Sequence, residues 1–173
     1  MNLRPATAAD AAAIARVHVD TWRAAYRGIL SDPYLESLDY AARTEEWVKR
    51  IGLKSHFTLV AADPAGGQIV AFADGGPERS HDPAFRGELY ALYVLPAHQR
   101  HGLGRRLTVA IAETFADNHV HTLLAWVAAA SGAGKFFERL GAKAFRSKRG
   151  PLGDVEVDKV GYGWTDTESL GAR

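Results

Sequence analysis

Between residues 99 and 106 the chain reads Gln-Arg-His-Gly-Leu-Gly-Arg-Arg, just after an apolar run closed by Pro96. Gly102 and Gly104 allow another group to come close to the backbone. A helix that starts at this point presents unpaired N–H groups and the positive end of its dipole. Arg100, Arg105 and Arg106 add charge-assisted donors. The combination suits a pyrophosphate. The same spacing also fits a steric strand-to-helix turn whose arginines lie on a solvated face. Two other phosphate motifs do not match. No Gly-Lys-Ser/Thr follows, and a dinucleotide fingerprint needs a glycine at 107, where the chain has Leu107.

The elements that must hold this turn are legible from periodicity. Residues 2–7 read as a first strand, and Asp10 as the N-cap of a helix carrying Ile14, Val17 and Trp22 toward the core. Gly28 ends that helix. Ser31 and Pro33 start a second, and Asp39 caps a third with Trp47, Val48 and Ile51, closed near Gly52. FTLVAAD and QIVAFAD form two antiparallel strands joined by the DPAGG turn, and 76–87 reads as a loop. GELYALYVLP is the strongest strand. Leu103, Leu107, Ile111 and Phe115 then recur every four residues, giving the helix after Gly102 one apolar face. TLLAWV, the short helix GKFFERLG, and the strands KAFRSK and EVDKVGYGW complete the chain. The order predicts a single α/β domain over 1–173, a mixed sheet covered by helices.

Composition narrows the function classes. The 173 residues include 21 Lys and Arg against 20 Asp and Glu, a net charge of +1 that argues against a nucleic-acid binder. The absence of cysteine excludes disulfides, thiolate metal sites and a cysteine nucleophile. The seven histidines show no ligand spacing, so no metal is expected. MNLRPATAAD lacks the pattern of a secretory signal, and no apolar run is long enough for a membrane span, which makes a cytoplasmic protein the expectation.

Leu92, Val94 and Pro96 followed by Gln99-x-x-Gly102-x-Gly104 resemble the acetyl-CoA signature of the GCN5-related N-acetyltransferases (GNAT), a strand L-x-V-x-P leading into Q/R-x-x-G-x-G/A and a helix. KFFERLGAKAF is similar to the F-Y-E-x-x-G-F segment of that family, and TWRAAYRGILSDPYLESL to the acceptor-side helices of a bacterial subgroup. The resemblance implies the GNAT fold: a mostly antiparallel central sheet splayed between strands 4 and 5 and flanked by helices. It implies acetyl-CoA as co-substrate and transfer of acetyl to a primary amine. The backbone of Gln99, Arg100, His101, Gly102, Leu103 and Gly104, with Arg105, would hold the pyrophosphate, and the backbone of Leu92 to Val94 the pantetheine arm. The Val94 N–H would serve the oxyanion. Glu88, where many relatives carry a carboxylate, would act as base through a water.

Two positions depart from the family pattern. Phe137 stands where the family has a tyrosine that protonates the leaving thiolate; it would still pack against the coenzyme arm, and the thiol would take its proton from water or from another hydroxyl, with Tyr90 and Tyr93 as candidates. The asparagine that commonly holds the coenzyme is replaced by Ala130 or Ser131. These departures keep a non-catalytic, acetyl-CoA-binding sensory domain as the alternative. Trp22 and Tyr26, four residues apart, with Asp32 beyond the turn, read either as an acceptor wall for a cationic amine or as core aromatics. By simple alternation Tyr90 and Leu92 share the face of Glu88, unless a bulge shifts the register. Polyamine, amino sugar, amino acid and protein N-terminus or lysine remain open as acceptors. The family resemblance leaves a homodimer open as well.

Overall fold

The structure, a computed structural model, describes residues 1–170. The elements follow in the order β1 (Asn2–Pro5), α1 (Ala11–Ala25), α2 (Asp32–Ser37), α3 (Tyr40–Ile51), β2 (Phe57–Ala62), β3 (Ile69–Pro77), β4 (Gly87–Val94), α4 (Leu103–Asp117), β5 (Leu123–Ala128), α5 (Gly134–Arg139), β6 (Lys143–Leu152) and β7 (Val155–Trp164). One sheet takes all seven strands in the order β1-β2-β3-β4-β5-β7-β6. Every pairing is antiparallel except β4–β5. The last hairpin folds back, so β7 lies beside β5 and β6 forms the edge.

Strand alternation divides the core between two layers. On one face Leu103, Leu107, Ile111 and Phe115 of α4 pack against Leu59, Ala61, Ala73 and Leu89, and Phe137 of α5 joins them. On the other, Ile14 and Val17 of α1 and Trp47 of α3 meet Val60, Phe72 and Ala91. The helix starts expected at Ser31 and Asp39 are present, with Ser31 Oγ accepting from the Tyr34 N–H and Asp39 Oδ1 from the Ala42 N–H.

Three local expectations are corrected. Asp10 does not cap α1 with its side chain; its carboxylate takes the Thr7 N–H at 2.8 Å and the Arg4 guanidinium at 2.7 Å, tying β1 to the helix start. Val48 is exposed, because the inward face of α3 carries Trp47 and Ile51 and Val48 falls off it. β3 extends to Pro77, which shortens the following loop to 78–86.

The register of β4 also departs from simple alternation. Asp74 pairs with Ala91 and Gly75 with Leu89, so Tyr90 is an extra residue: a β-bulge. The bulge turns Leu92 and Val94 to the α4 face with Leu89, and Ala91 and Tyr93 to the α1 face. Leu92 therefore does not share the face of Glu88.

Candidate active site

β4 and β5 pair in parallel only through Gly87–Leu123, Glu88–Leu124 and Leu89–Ala125. Beyond the bulge they separate. The Leu95 N–H bonds Val70 O at 2.9 Å on the β3 side. Antiparallel alternation then turns the N–H groups of Val94 and Leu92 toward β5, where no strand meets them. A strand-shaped opening with one unpaired edge results.

The Gln99–Arg105 turn stands at the end of that opening. Gly102 caps α4 at φ 77° with no side-chain cap, and Arg100 also has a positive φ of 65°. The Gln99 N–H is used inside the turn, on Pro96 O, while its side-chain amide holds Val94 O at 2.9 Å. Gln99 therefore braces the turn, and the free cradle begins one residue later than the sequence suggested. The N–H groups of Arg100, His101, Gly102, Leu103 and Gly104 make no backbone hydrogen bond within the described residues, and the Arg106 N–H resumes the ladder on Gly102 O. The Leu103 side chain is core, and its contribution here is its backbone. Gly104 has a packing reason as well: a Cβ there would stand 3.2 Å from the Phe136 ring.

On the α1 face of the sheet, Glu88 is 3% exposed. Arg79 holds it with three hydrogen bonds: Nη2 lies 2.5 Å from Oε1, Nε 3.2 Å from Oε2, and the Arg79 backbone N 3.1 Å from Oε2. A carboxylate has about four lone-pair sites, so this anchoring fixes its orientation and leaves acceptor capacity. The Arg79 guanidinium also lies 4.0 Å over the Tyr90 ring. The Tyr90 hydroxyl donates a hydrogen bond to Pro77 O at 2.5 Å, and burial pushes its pKa up to about 12. Its ring thus packs under the Arg79 guanidinium.

Beside them lies a group that the sequence reading missed. Asp74 is wholly buried; it accepts from the Thr58 hydroxyl at 2.8 Å and faces Arg50 at 3.2 Å and His56 at 3.7 Å. Burial raises its carboxyl above the usual range, against the pull of Thr58, Arg50 and His56. A cleft of about 330 Å³, lined by His18, Arg43, Trp47, Arg50 and His56 among others, shares Arg50 and His56 with this cluster.

The aromatic wall comes from α1 and β4. Trp22 and Tyr26 meet edge to face at 5.0 Å, half-buried, and pack with Leu152 and Val155 of the last hairpin. Tyr93 stacks on His18 at 5.1 Å. Burial, then the neighbouring Tyr26, raise its hydroxyl well above the ordinary value, so it stays protonated. The Trp22 indole N–H is buried without a full hydrogen bond. Asp32 sits exposed in the first turn of α2.

The FR47-like protein family matches residues 78–150. The uncharacterized N-acetyltransferase YuaI of Bacillus subtilis is 34% identical over 170 residues, covering 98% of this chain and 96% of the relative. The chain belongs to the GCN5-related N-acetyltransferase family. Among solved structures, the ribosomal-protein-alanine N-acetyltransferase of Brucella melitensis superposes with a TM-score of 0.72 at 26% identity, covering 95% of this chain and 99% of that one. yncA of Salmonella typhimurium, solved with its cofactor acetyl-CoA, gives 0.69 at 23%, covering 95% and 92%.

The two departures from the GNAT pattern have structural counterparts. Phe137 is buried between Phe136, Tyr162 and Trp164, as a core residue of α5. Ser131 is not a free substitute for an amide. Its hydroxyl donates to Ala128 O at 2.7 Å and accepts from the Ala133 N–H at 3.3 Å, so it shapes the β5–α5 turn. Among the described residues no group of three or more His, Asp or Glu side chains is arranged to hold a metal ion, and no helix is long and apolar enough to cross a membrane.

Proposed function

We propose that this GNAT member transfers an acetyl group from acetyl-CoA to a primary amine of a small molecule by direct attack. The observation that carries the reading is the β4–β5 opening with the unpaired N–H groups of residues 100–104 at its end. Those donors and the adjacent Arg100 and Arg105 fit a pyrophosphate, and the free edges of Leu92 and Val94 fit an extended amide-bearing arm. The name of YuaI and the cofactor of yncA support the same assignment. Acetyl-CoA supplies the activated acetyl thioester; the chain supplies the rest.

Glu88 takes the proton of the amine through a water, with Arg79 holding the carboxylate in place. The Val94 N–H, turned into the opening, donates to the developing oxyanion. Tyr93, which keeps its proton at neutral pH, is the proposed donor to the departing thiol in place of the family tyrosine. Trp22, Tyr26 and Tyr90 bound the acceptor space, and Phe137 supports the coenzyme side from within the core.

Calorimetric titration of coenzyme-free protein with acetyl-CoA, with ATP as comparison, tests this. Micromolar acetyl-CoA binding clearly tighter than ATP is expected, and release of free CoA with an amine panel should follow. Gly102→Ala should weaken acetyl-CoA about tenfold, since a left-handed backbone costs a non-glycine residue about 1–2 kcal/mol. Unchanged affinity in that variant would remove the turn from the site. The buried Phe137 favours a second reading, a coenzyme-binding domain without turnover. Tight acetyl-CoA binding with no acetylated product from any amine would select it.

A further inference from the structure

We propose that the acceptor amine also carries an anionic group, a carboxylate or a phosphate, and that Lys148 and Lys159 hold it. The inference rests on the transferase reading above and names the substrate class of the same site.

The strand registers lay out one continuous face. Glu88 is level with Leu124 on β5; Trp126 and Ala128 follow on the same side at two-residue steps. Ala128 is opposite Lys159 on β7, and Lys159 is directly opposite Lys148 on β6. The two lysines therefore share the face of the proposed base, on the far side of the opening between β4 and β5. Like charges directly opposite one another weaken a strand pair. Neither lysine has an ion pair among the described residues. Lys148 Nζ rests 3.7 Å over the Trp126 ring, and Lys159 Nζ donates to Pro151 O at 2.6 Å, which leaves it two further donors.

The surrounding charges do not neutralise the pair. Within electrical reach of Lys159 are Lys148, Arg79, Glu88 and Glu156. Glu88 is already taken by Arg79, and neither lysine is ion-paired to a carboxylate among the described residues. Burial, then Lys148, lower the Lys159 ammonium below the ordinary lysine value, as expected where negative charge is short. Trp126, which lies on β5 between the level of Glu88 and that of Lys159, has a buried indole N–H with no acceptor among the described residues. Two cations thus stand side by side on the face of Glu88 with no carboxylate ion-paired to either among the described residues. An anion supplies what each lacks, and it leaves the amine of the same molecule to face Glu88. A polyamine would bring only more positive charge to this wall, whatever the aromatic side offers it.

The test uses the full chain loaded with desulfo-CoA for binding and with acetyl-CoA for turnover. Glutamate and β-alanine represent carboxylates, O-phosphoethanolamine a phosphate, and spermidine, glucosamine and phenethylamine acceptors with no anionic group. One anionic class should bind and turn over roughly tenfold better than spermidine, and the better of the two identifies the group. Lys159→Met and Lys148→Met should each raise KM for that acceptor roughly tenfold, with acetyl-CoA affinity and the KM for phenethylamine unchanged. Anionic amines that bind, lose binding in Lys159→Met and yet are not acetylated would uphold this inference while sinking the transferase reading. Spermidine or glucosamine binding as well as the anionic amines, no binding by any acceptor, or lysine variants that affect all acceptors equally would overturn it.

Discussion

Glu88→Gln should lower kcat for amine acetylation by roughly 10²-fold or more, the usual contribution of a positioned base. The amide keeps the shape of the carboxylate and its oxygen can still accept from Arg79, while its NH2 meets an Arg79 donor, so some stability should be lost with acetyl-CoA affinity preserved. What is lost is the proton acceptor. The residual rate should then climb with pH, as a growing fraction of the amine arrives already neutral. A parallel pH profile in both proteins, differing only in height, would assign Glu88 to charge balance with Arg79 instead. Arg79→Ala separates these possibilities further. It leaves the buried Glu88 without its partner and should alter the pH dependence of kcat, whereas loss of a merely structural pair would act through stability.

The parts of this site that were legible in the sequence are local ones. The turn could be read because Gly102 has a reason that is local, a left-handed cap at the helix start, although the close approach of Gly104 to Phe136 depends on distant chain. The four-residue spacing of Leu103, Leu107, Ile111 and Phe115 likewise set the buried face of α4 before any partner was known. What escaped depends on distant chain. The bulge at Tyr90 is written in the pairing of β4 with Asp74 and Gly75, and no residue type at 90 announces it. Asp74 at the end of QIVAFAD looks like the polar end of a strand, yet β3 runs on and α3 covers it. Arg79 sits in a stretch read only as a loop, and its meaning appears when the loop folds onto β4. The pairing of Lys148 with Lys159 requires the β6–β7 hairpin register, which alternation within either strand does not supply. Local chemistry was readable; the electrostatics of the acceptor side was not, because it is assembled by tertiary contacts.

The largest expected effect on stability comes from His18. Its imidazole is buried under α3, where Trp47 Nε1 donates to Nδ1 at 3.1 Å, so the ring is neutral with its proton on Nε2. Burial, reinforced by Arg43 and Arg50, lowers its pKa from 6.5 to about 3. The sign follows from which state binds the proton. Below 6.5 the unfolded chain protonates its histidine and the folded chain does not, so stability falls as the solution becomes more acid. The contribution is complete above about pH 6.5 and is lost progressively down to the folded value near 3. At about 1.4 kcal/mol per unit, roughly 3 kcal/mol is gone by about pH 4. Asp74 works in the opposite direction, because its raised carboxyl binds a proton more readily in the folded state and so favours folding as pH falls through its own range. His18→Gln keeps an acceptor for the Trp47 indole and removes the titration. Urea unfolding at a series of pH values between 7 and 4 should therefore show a shallower loss of stability in the variant. Equal slopes in both proteins would mean that His18 protonates in place, and that the Trp47–His18 contact opens well before the fold does.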